Sequence, residues 1–363
     1  MNDVEELKRF VLVHARAQNL DPATYQRVLN GIEHDRDGGP GSWTAAWSAE
    51  AAARTDDPLA AARFYTMARF PFVDGDARAT ALRKAVEEFD RWRQARGGIE
   101  RLDVELDGGR IRCWATGLGE GRPLLLVLGG IVSIKEQWAP VLLAARRLGL
   151  AGVVTEMPGT GENTLRYDAK SARMISAVID AVGERADTAR TTALAMSFSG
   201  HLALRAALDD RRITGIVTVG APVAEFFTDA DWHRRLPRVT RDTLAHLTRA
   251  APGELFDALR DWALTAEQLA ALDIPVCYLA SGRDEIIPPG DPALLRTHVR
   301  DLRLAEQDDV HAAPGHVLET KLWITSSIVR STGGKPIPGI LLGTLLGAVR
   351  LRRRLSRSLR SET

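Results

Sequence analysis

From residue 99 onward, short apolar runs alternate with amphipathic stretches, and this alternation restricts the chain to one kind of architecture. Runs at 123–128, 152–156, 191–195, 213–220, 275–280 and 302–307 have the length of strands. Between and after them, 136–148, 169–185, 201–208, 292–299 and 316–329 have helical spacing. Strands separated by helices pair in parallel through right-handed crossovers. The run 123–128 is apolar throughout, as in a strand buried on both faces. Two earlier runs, 101–107 and 110–116, alternate in polarity around Asp107-Gly108-Gly109 and predict an antiparallel pair at the start of the sheet. The expectation is an α/β fold: a mostly parallel, doubly wound sheet over residues 99–330, with a helical insertion at 223–272.

Residues 1–98 contain no good strand and predict helices at 4–17, after Asp21-Pro22, and at 43–54, 60–70 and 77–96. A turn-rich patch spans 35–42, and Phe70-Pro71-Phe72 breaks the chain before the last of these helices. Residues 331–363 form a separate basic tail, with a Gly-Gly-Lys-Pro linker, an apolar stretch at 340–349 and six arginines between Arg350 and Arg360. Such a tail reads as a docked or disordered end, or as a basic helix on an anionic membrane or a partner.

The chain has 363 residues and a net charge of +1, so no overall field invites nucleic acid. Its two cysteines, Cys113 and Cys277, lie in strand-like runs and read as buried thiols rather than a disulfide or metal set. No metal and no cofactor is expected. The acidic start, Asn2-Asp3-Val4-Glu5-Glu6, lacks the apolar core of a secretory signal, and no run is long enough to span a membrane. The expected setting is cytoplasmic, with a small-molecule substrate as the partner and a homodimer as a possible assembly.

One turn carries the chemistry. Ala195-Met196-Ser197-Phe198-Ser199-Gly200 joins the strand run 191–195 to a helical stretch. Small-x-Ser-x-small at a strand-to-helix turn is the pattern of a nucleophile elbow, with Ala195 and Ser199 where two glycines are usual. A nucleophilic serine needs a base, and the base needs an orienting acid. In doubly wound hydrolases the acid and then the base follow the serine, each after a successive strand. The run 275–280 leads into Gly282-Arg283-Asp284-Glu285-Ile286-Ile287-Pro288, which makes Asp284 the candidate acid and Glu285 its alternate. After 302–307 come His311 and His316; His311 is the candidate base, because it is first after the strand, and His316 is the alternate. Candidate donors to a developing oxyanion are the backbone N–H of Phe198 and the loop at Gly129-Gly130-Ile131. His201 reads as a packed core residue. His233 and His246 lie in the insertion, within reach of substrate, and His14, His34 and His298 read as surface positions. Pro158-Gly159-Thr160-Gly161-Glu162 lacks the Gly-Lys-Ser/Thr of a phosphate loop and reads as a tight loop beside the pocket.

These motifs resemble the α/β-hydrolase superfamily over about residues 100–330. A narrower resemblance, to the FrsA-like esterase branch, rests on Ala62-Arg63-Phe64-Tyr65-Thr66-Met67-Ala68-Arg69-Phe70-Pro71-Phe72, on Leu128-Gly129-Gly130 with Lys135-Glu136, and on Met157-Pro158-Gly159-Thr160-Gly161-Glu162. That branch includes 2,6-dihydroxypseudooxynicotine hydrolase, hydrolases that shorten polyketides by C–C cleavage, and tetronate-pathway enzymes thought to eliminate acetate. The resemblance implies that residues 1–98 form a helical cap over a pocket above Ser197. Trp43, Trp47, Phe64, Tyr65 and Phe72 are then candidates for the pocket wall, with core packing as the alternative. It implies cleavage of an ester, a thioester or a C–C bond next to a carbonyl in a mid-sized, polyketide-like metabolite. Acetate elimination on the same site is the second reading, and a non-catalytic binding protein the third.

Overall fold

In the computed structural model, residues 2–251 and 253–332 are described; the basic tail lies outside them. Eight strands form one sheet: β1 Glu100–Leu106, β2 Gly109–Thr116, β3 Pro123–Leu128, β4 Ala151–Thr155, β5 Asp187–Met196, β6 Ile213–Val219, β7 Val276–Ser281 and β8 Leu302–Gln307. Their order is β1-β2-β4-β3-β5-β6-β7-β8. β1 and β2 are antiparallel, β2 meets β4 antiparallel, and every later pair is parallel. The expected mixed, mostly parallel sheet is thus the sheet observed.

Strand alternation divides the core between two faces. Leu124, Leu126 and Leu128 of β3 pack on one face, with Ala193, Ala195, Val276 and Tyr278. Leu125 and Val127 pack on the other, with Leu194, Val217, Cys277 and Leu279. Helices cover both faces, which is why these runs are apolar without a break. Cys113 and Cys277 are free and buried.

The sequence predicts one helix over 136–148. The structure has two, Lys135–Trp138 and Val141–Arg147. Pro140 stands between them; it has no N–H to continue the helical ladder. The strand expected at 191–195 is longer, Asp187–Met196: Asp187 pairs with Pro123, and a register shift follows before Thr191 pairs with Leu124.

The N-terminal region is helical: α1 Val4–Ala17, α2 Pro22–Asn30, α3 Trp43–Ala52, α4 Pro58–Ala68 and α5 Asp76–Arg96. Local chemistry sets their starts. Asp3, Asp21, Ser42 and Asp57 accept a hydrogen bond from a first-turn N–H, and Pro22 and Pro58 sit at first-turn positions that need no donor. These helices share an apolar core that includes Trp43, Trp47, Phe64, Tyr65 and Phe70, and Ile134 and Val239 from later in the chain join it. Glu6 of α1 caps the insertion helix Arg238–Thr248, accepting from Arg238 N at 2.9 Å and Val239 N at 2.6 Å. Asp291, fully buried, accepts from Val223 N, Ala224 N and Glu225 N at 2.7–3.0 Å and so fixes the start of the insertion against the first turn of the helix Gly290–His298. Among the described residues no helix is long and apolar enough to cross a membrane.

His201, on the helix after β5, is 1% exposed and bonds Trp262 O through Nε2 at 2.9 Å. Burial, only partly opposed by that bond, pushes its pKa from 6.5 down to about 3. The unfolded chain takes up a proton at this site below pH 6.5 while the folded chain does not, so stability is lost as pH falls from 6.5 towards 3. A His201→Gln variant is expected to flatten this acid limb by about 1.4 kcal/mol per pH unit, measured by urea unfolding across that range.

Candidate active site

The carboxyl ends of β3, β5, β6, β7 and β8 lie along one edge of the sheet, and each hands a loop to the same place. Open α/β sheets bind ligands at this edge. β5 gives Ser197 between Met196 and the helix Phe198–Asp209, at φ 55° and ψ −128°. A serine in the left-handed region is strained, and the surroundings hold it there. Ser197 N donates to Val219 O at 2.8 Å, and Ser199 Oγ donates to Met196 O at 2.9 Å and Leu128 O at 3.2 Å. Ala195 and Ser199 are fully buried, which is why the turn needs small residues there. The tightest position is Gly200, where a Cβ would fall 2.2 Å from Thr218 Oγ1.

Asp284 and His311 meet this serine. His311 Nε2 lies 3.0 Å from Ser197 Oγ, and its Nδ1 lies 2.9 and 3.0 Å from the two Asp284 oxygens. Asp284 Oδ1 also accepts from Ile286 N at 2.9 Å and Ile287 N at 2.8 Å, which fixes the carboxylate. Burial alone would lower the His311 pKa, but Asp284 and then Glu285 outweigh it, so the imidazole is raised above 6.5.

The two alternates take other places. Glu285 Oε2 accepts from the backbone N of His311 at 2.9 Å and positions the loop rather than the ring. His316 pairs with Asp309 at 2.8 Å. Asp309 also accepts from Val310 N at 2.9 Å and Gly315 N at 2.7 Å. Its carboxylate thereby clamps a loop in which Ala312 and Ala313 have φ of 62° and 50°.

Gly130 packs against the serine: a Cβ there would lie 3.2 Å from Ser197 Cβ and 3.8 Å from its Oγ. Phe198 is the first residue of its helix, so its N–H is one of the four that have no partner within the helix. Gly220, at the end of β6, has no place in the sequence motifs. Its φ is 60°, and a Cβ would sit 2.8 Å from His311 Cε1 and 3.4 Å from Asp284 Oδ2. Its only signal is a glycine directly after an apolar strand run.

Beneath the loop after β3 lies a buried charge cluster. Lys135 Nζ, on a residue 1% exposed, lies 2.9 Å from Glu136, 3.4 Å from Glu156 and 2.7 Å from Glu162. Glu156 also accepts from Lys135 N at 2.9 Å and Glu162 N at 2.6 Å. Glu136 accepts from Trp114 Nε1 at 2.9 Å, and Arg112 pairs with Glu162. Burial raises Glu156 to about 7 against the pull of Lys135. Gly161 makes room for this carboxylate, since a Cβ there would fall 2.3 Å from Glu156 Oε2. The loop at 158–162 therefore wraps an internal carboxylate, and Thr160 Oγ1 ties it to Ile131 O at 3.0 Å.

The five aromatic candidates separate. Trp43 and Trp47 are fully buried, and with Phe64 and Tyr65 they fill the interior of the helical cluster. Phe72 stacks on His246 at 4.6 Å and lines a cavity of about 160 Å³ with Arg69, Ile131, Gly159, Thr160 and Leu247. His233 stacks on Phe256 at 3.8 Å and bonds Phe226 O at 2.6 Å, an internal packing role. His14 corrects the sequence reading. It is not a free surface residue: its ring tilts against Phe70 at 5.4 Å and bonds Gln137. Its spacing carries the signal: His14 stands seven, four and three residues after Leu7, Phe10 and Val11, on the apolar face of its helix.

Fold and site together define an α/β-hydrolase-fold protein. The chain belongs to the FrsA-like esterase family, whose match covers residues 41–288. No curated protein matches the sequence. Among solved structures, that of AbyA5 wild type is 55% identical, over 96% of this chain and 100% of that one, with a TM-score of 0.92. The structure of 2,6-dihydroxy-pseudo-oxynicotine hydrolase is 19% identical, over 88% and 96% of the two chains, with a TM-score of 0.69, and shares the fold. The protein is thus an esterase-family enzyme of the hydrolase fold.

Two outcomes follow from this geometry. Gly220→Ala is expected to leave the circular dichroism spectrum intact and to lower kcat/KM by about 10²-fold, by pushing the His311 ring away from Ser197 Oγ. Lys135→Met leaves the buried Glu136 and Glu156 without their cation and is expected to destabilise the fold by about 3–5 kcal/mol, read from the urea midpoint.

Proposed function

We propose that Ser197, His311 and Asp284 act as a catalytic triad that cleaves an ester, a thioester or a C–C bond next to a carbonyl in a mid-sized, polyketide-like metabolite. The observation that carries this reading is the unbroken chain of short contacts from Asp284 through His311 to Ser197 Oγ. His311 Nε2 takes the Ser197 proton as Oγ attacks the carbonyl carbon. The oxygen of that carbonyl, now negative, accepts from the N–H of Phe198 and from the loop N–H at Gly130 or Ile131. His311 returns the proton to the leaving oxygen, sulfur or carbon, and a water molecule then releases the acyl group by the same steps in reverse. Asp284 holds the Nδ1–H and stabilises the imidazolium.

In this reading residues 1–98 are a helical cap over the catalytic domain, residues 99–330. Of the aromatic candidates, Phe72 is the one supported as a wall of the substrate pocket, by the cavity it shares with Ile131.

A second reading uses the same site as a lyase. His311 removes a proton from the carbon next to a carbonyl, acetate departs from the adjacent carbon, and a C=C bond forms. The raised basicity of His311, set by two carboxylates, favours this chemistry.

A fluorophosphonate probe is expected to label the wild type and not Ser197→Ala. A wild type that stays unlabelled where a related esterase reacts would overturn the triad. Mass spectrometry of the products separates the two reactions: hydrolysis leaves a free alcohol or a shortened chain, and elimination leaves an alkene and acetate.

A further inference from the structure

Arg69 is a buried cation, 2% exposed, that the proposed mechanism does not use. Its Nη1 donates to Pro71 O at 3.1 Å and its Nη2 to Val132 O, so its hydrogen-bond partners are backbone carbonyls. Its Nε has no partner. A guanidinium carries five N–H donors, so the Nε–H and a second N–H on each Nη remain uncommitted. Among the described residues no carboxylate pairs with it. Glu156 and Glu136 act on it only from a distance, and both pair with Lys135. Burial pulls the Arg69 pKa down to about 10, which leaves it charged at neutral pH. A buried charge calls for an opposite charge in contact with it, and this chain does not supply one to Arg69.

The guanidinium stands at the wall of the cavity of about 160 Å³ that Phe72 also lines. Its two bonds hold it between Pro71, a residue of that wall, and the carbonyl of Val132, which directly follows Ile131 of the same wall. Arg69 is the only charged residue of the lining; Phe72, Leu82 and Leu247 make much of the rest apolar. An apolar pocket with one fixed cation suits an anionic oxygen carried on an apolar group, and a space of this size holds about one benzene ring. The cavity also borders the site. Ile131 belongs to the loop whose Gly130 packs against Ser197, and Thr160, another lining residue, is tied to Ile131 O.

We infer that this cavity is a subsite for an acidic group of the substrate, a carboxylate or an ionised enol, whose anionic oxygen pairs with the Arg69 guanidinium while the apolar carbons beside it pack on Phe72 and Leu247. This rests on the proposed site at Ser197 and adds a charge to what that site accepts: the substrate is an anion. Because Arg69 is bonded to backbone on both sides, it holds that oxygen at a fixed place relative to the loop at Ile131.

The first test needs no turnover. In Ser197→Ala, benzoate is expected to bind at least about tenfold more tightly than benzamide, its neutral counterpart, by titration calorimetry. Arg69→Met in the same background is expected to bring the two to equal affinity. Ala79→Glu keeps the test open if Arg69→Met does not fold. Ala79 is an exposed residue of the cavity lining, and a carboxylate there is expected to weaken benzoate about tenfold by competing for Arg69. Benzoate that binds no better than benzamide, or that keeps its affinity in either folded variant, overturns the subsite. The second test compares the mono-p-nitrophenyl esters of adipic, pimelic and suberic acid with their methyl diesters. The wild type is expected to favour the free acid about tenfold in kcat/KM at one chain length or more, and Arg69→Met is expected to abolish that preference. No preference at any length overturns the assignment to the substrate. Fluorophosphonate labelling of the wild type reads the triad alone, so a failed triad and a failed subsite are told apart.

Discussion

The site depends on a buried lysine. Lys135 brings a positive charge to a place 1% exposed and gathers Glu136, Glu156 and Glu162 around it. An isolated charge there would be prohibitive, and so would three isolated carboxylates; each is tolerable only because the others are present. The consequence is geometric. The loop after β3, the end of β4 and the loop at 158–162 cannot move independently without breaking the cluster. Ion pairing thereby fixes the backbone at Gly129-Gly130-Ile131, the segment that faces Ser197.

Around that fixed loop, strain and support are matched. Ser197 at φ 55° is held by the strand bond to Val219 and by the buried Ser199, and the His311 loop, with Ala312 and Ala313 at positive φ, is held by the Asp309 carboxylate. In both cases a backbone in an unfavourable region carries a side chain of the Ser197–His311–Asp284 contact chain, or lies next to it, and several hydrogen bonds keep it there. Gly220 and Gly200 supply the space that these arrangements need.

The legible part of the chain was the part governed by local periodicity and chain order. The strand runs, the elbow at Ser197 and the order of Ser197, Asp284 and His311 are properties of neighbouring residues and of sequence order, and parallel topology turns that order into one sheet edge. The break at Pro140 was visible in the residue itself but was outweighed by the apolar spacing around it. His14 and Gly220 were not legible in this way. The spacing from Leu7 and Val11 puts His14 on the apolar face of α1, but its partners there, Phe70 and Gln137, come from far along the chain. A glycine after a strand looks like an ordinary turn until His311 is placed within 2.8 Å of where its Cβ would be.

The sequence by itself determined the fold class, the strand ends that face the site, the serine of the elbow and, for its partners, a short choice between Asp284 and Glu285 and between His311 and His316. Period-two and period-3.6 patterns are local, and a tight strand-to-helix turn needs small residues wherever it occurs. Only the tertiary structure decided which charged and aromatic residues serve the site and which serve the core. Trp43 and Trp47 went to the interior of the helices, Phe72 to a cavity wall, His316 to a loop clamp and His14 to a packed place between Phe70 and Gln137. The physical reason is that burial and electrostatic environment are sums over neighbours distant in sequence, and those neighbours exist only once the sheet and the helices have packed together.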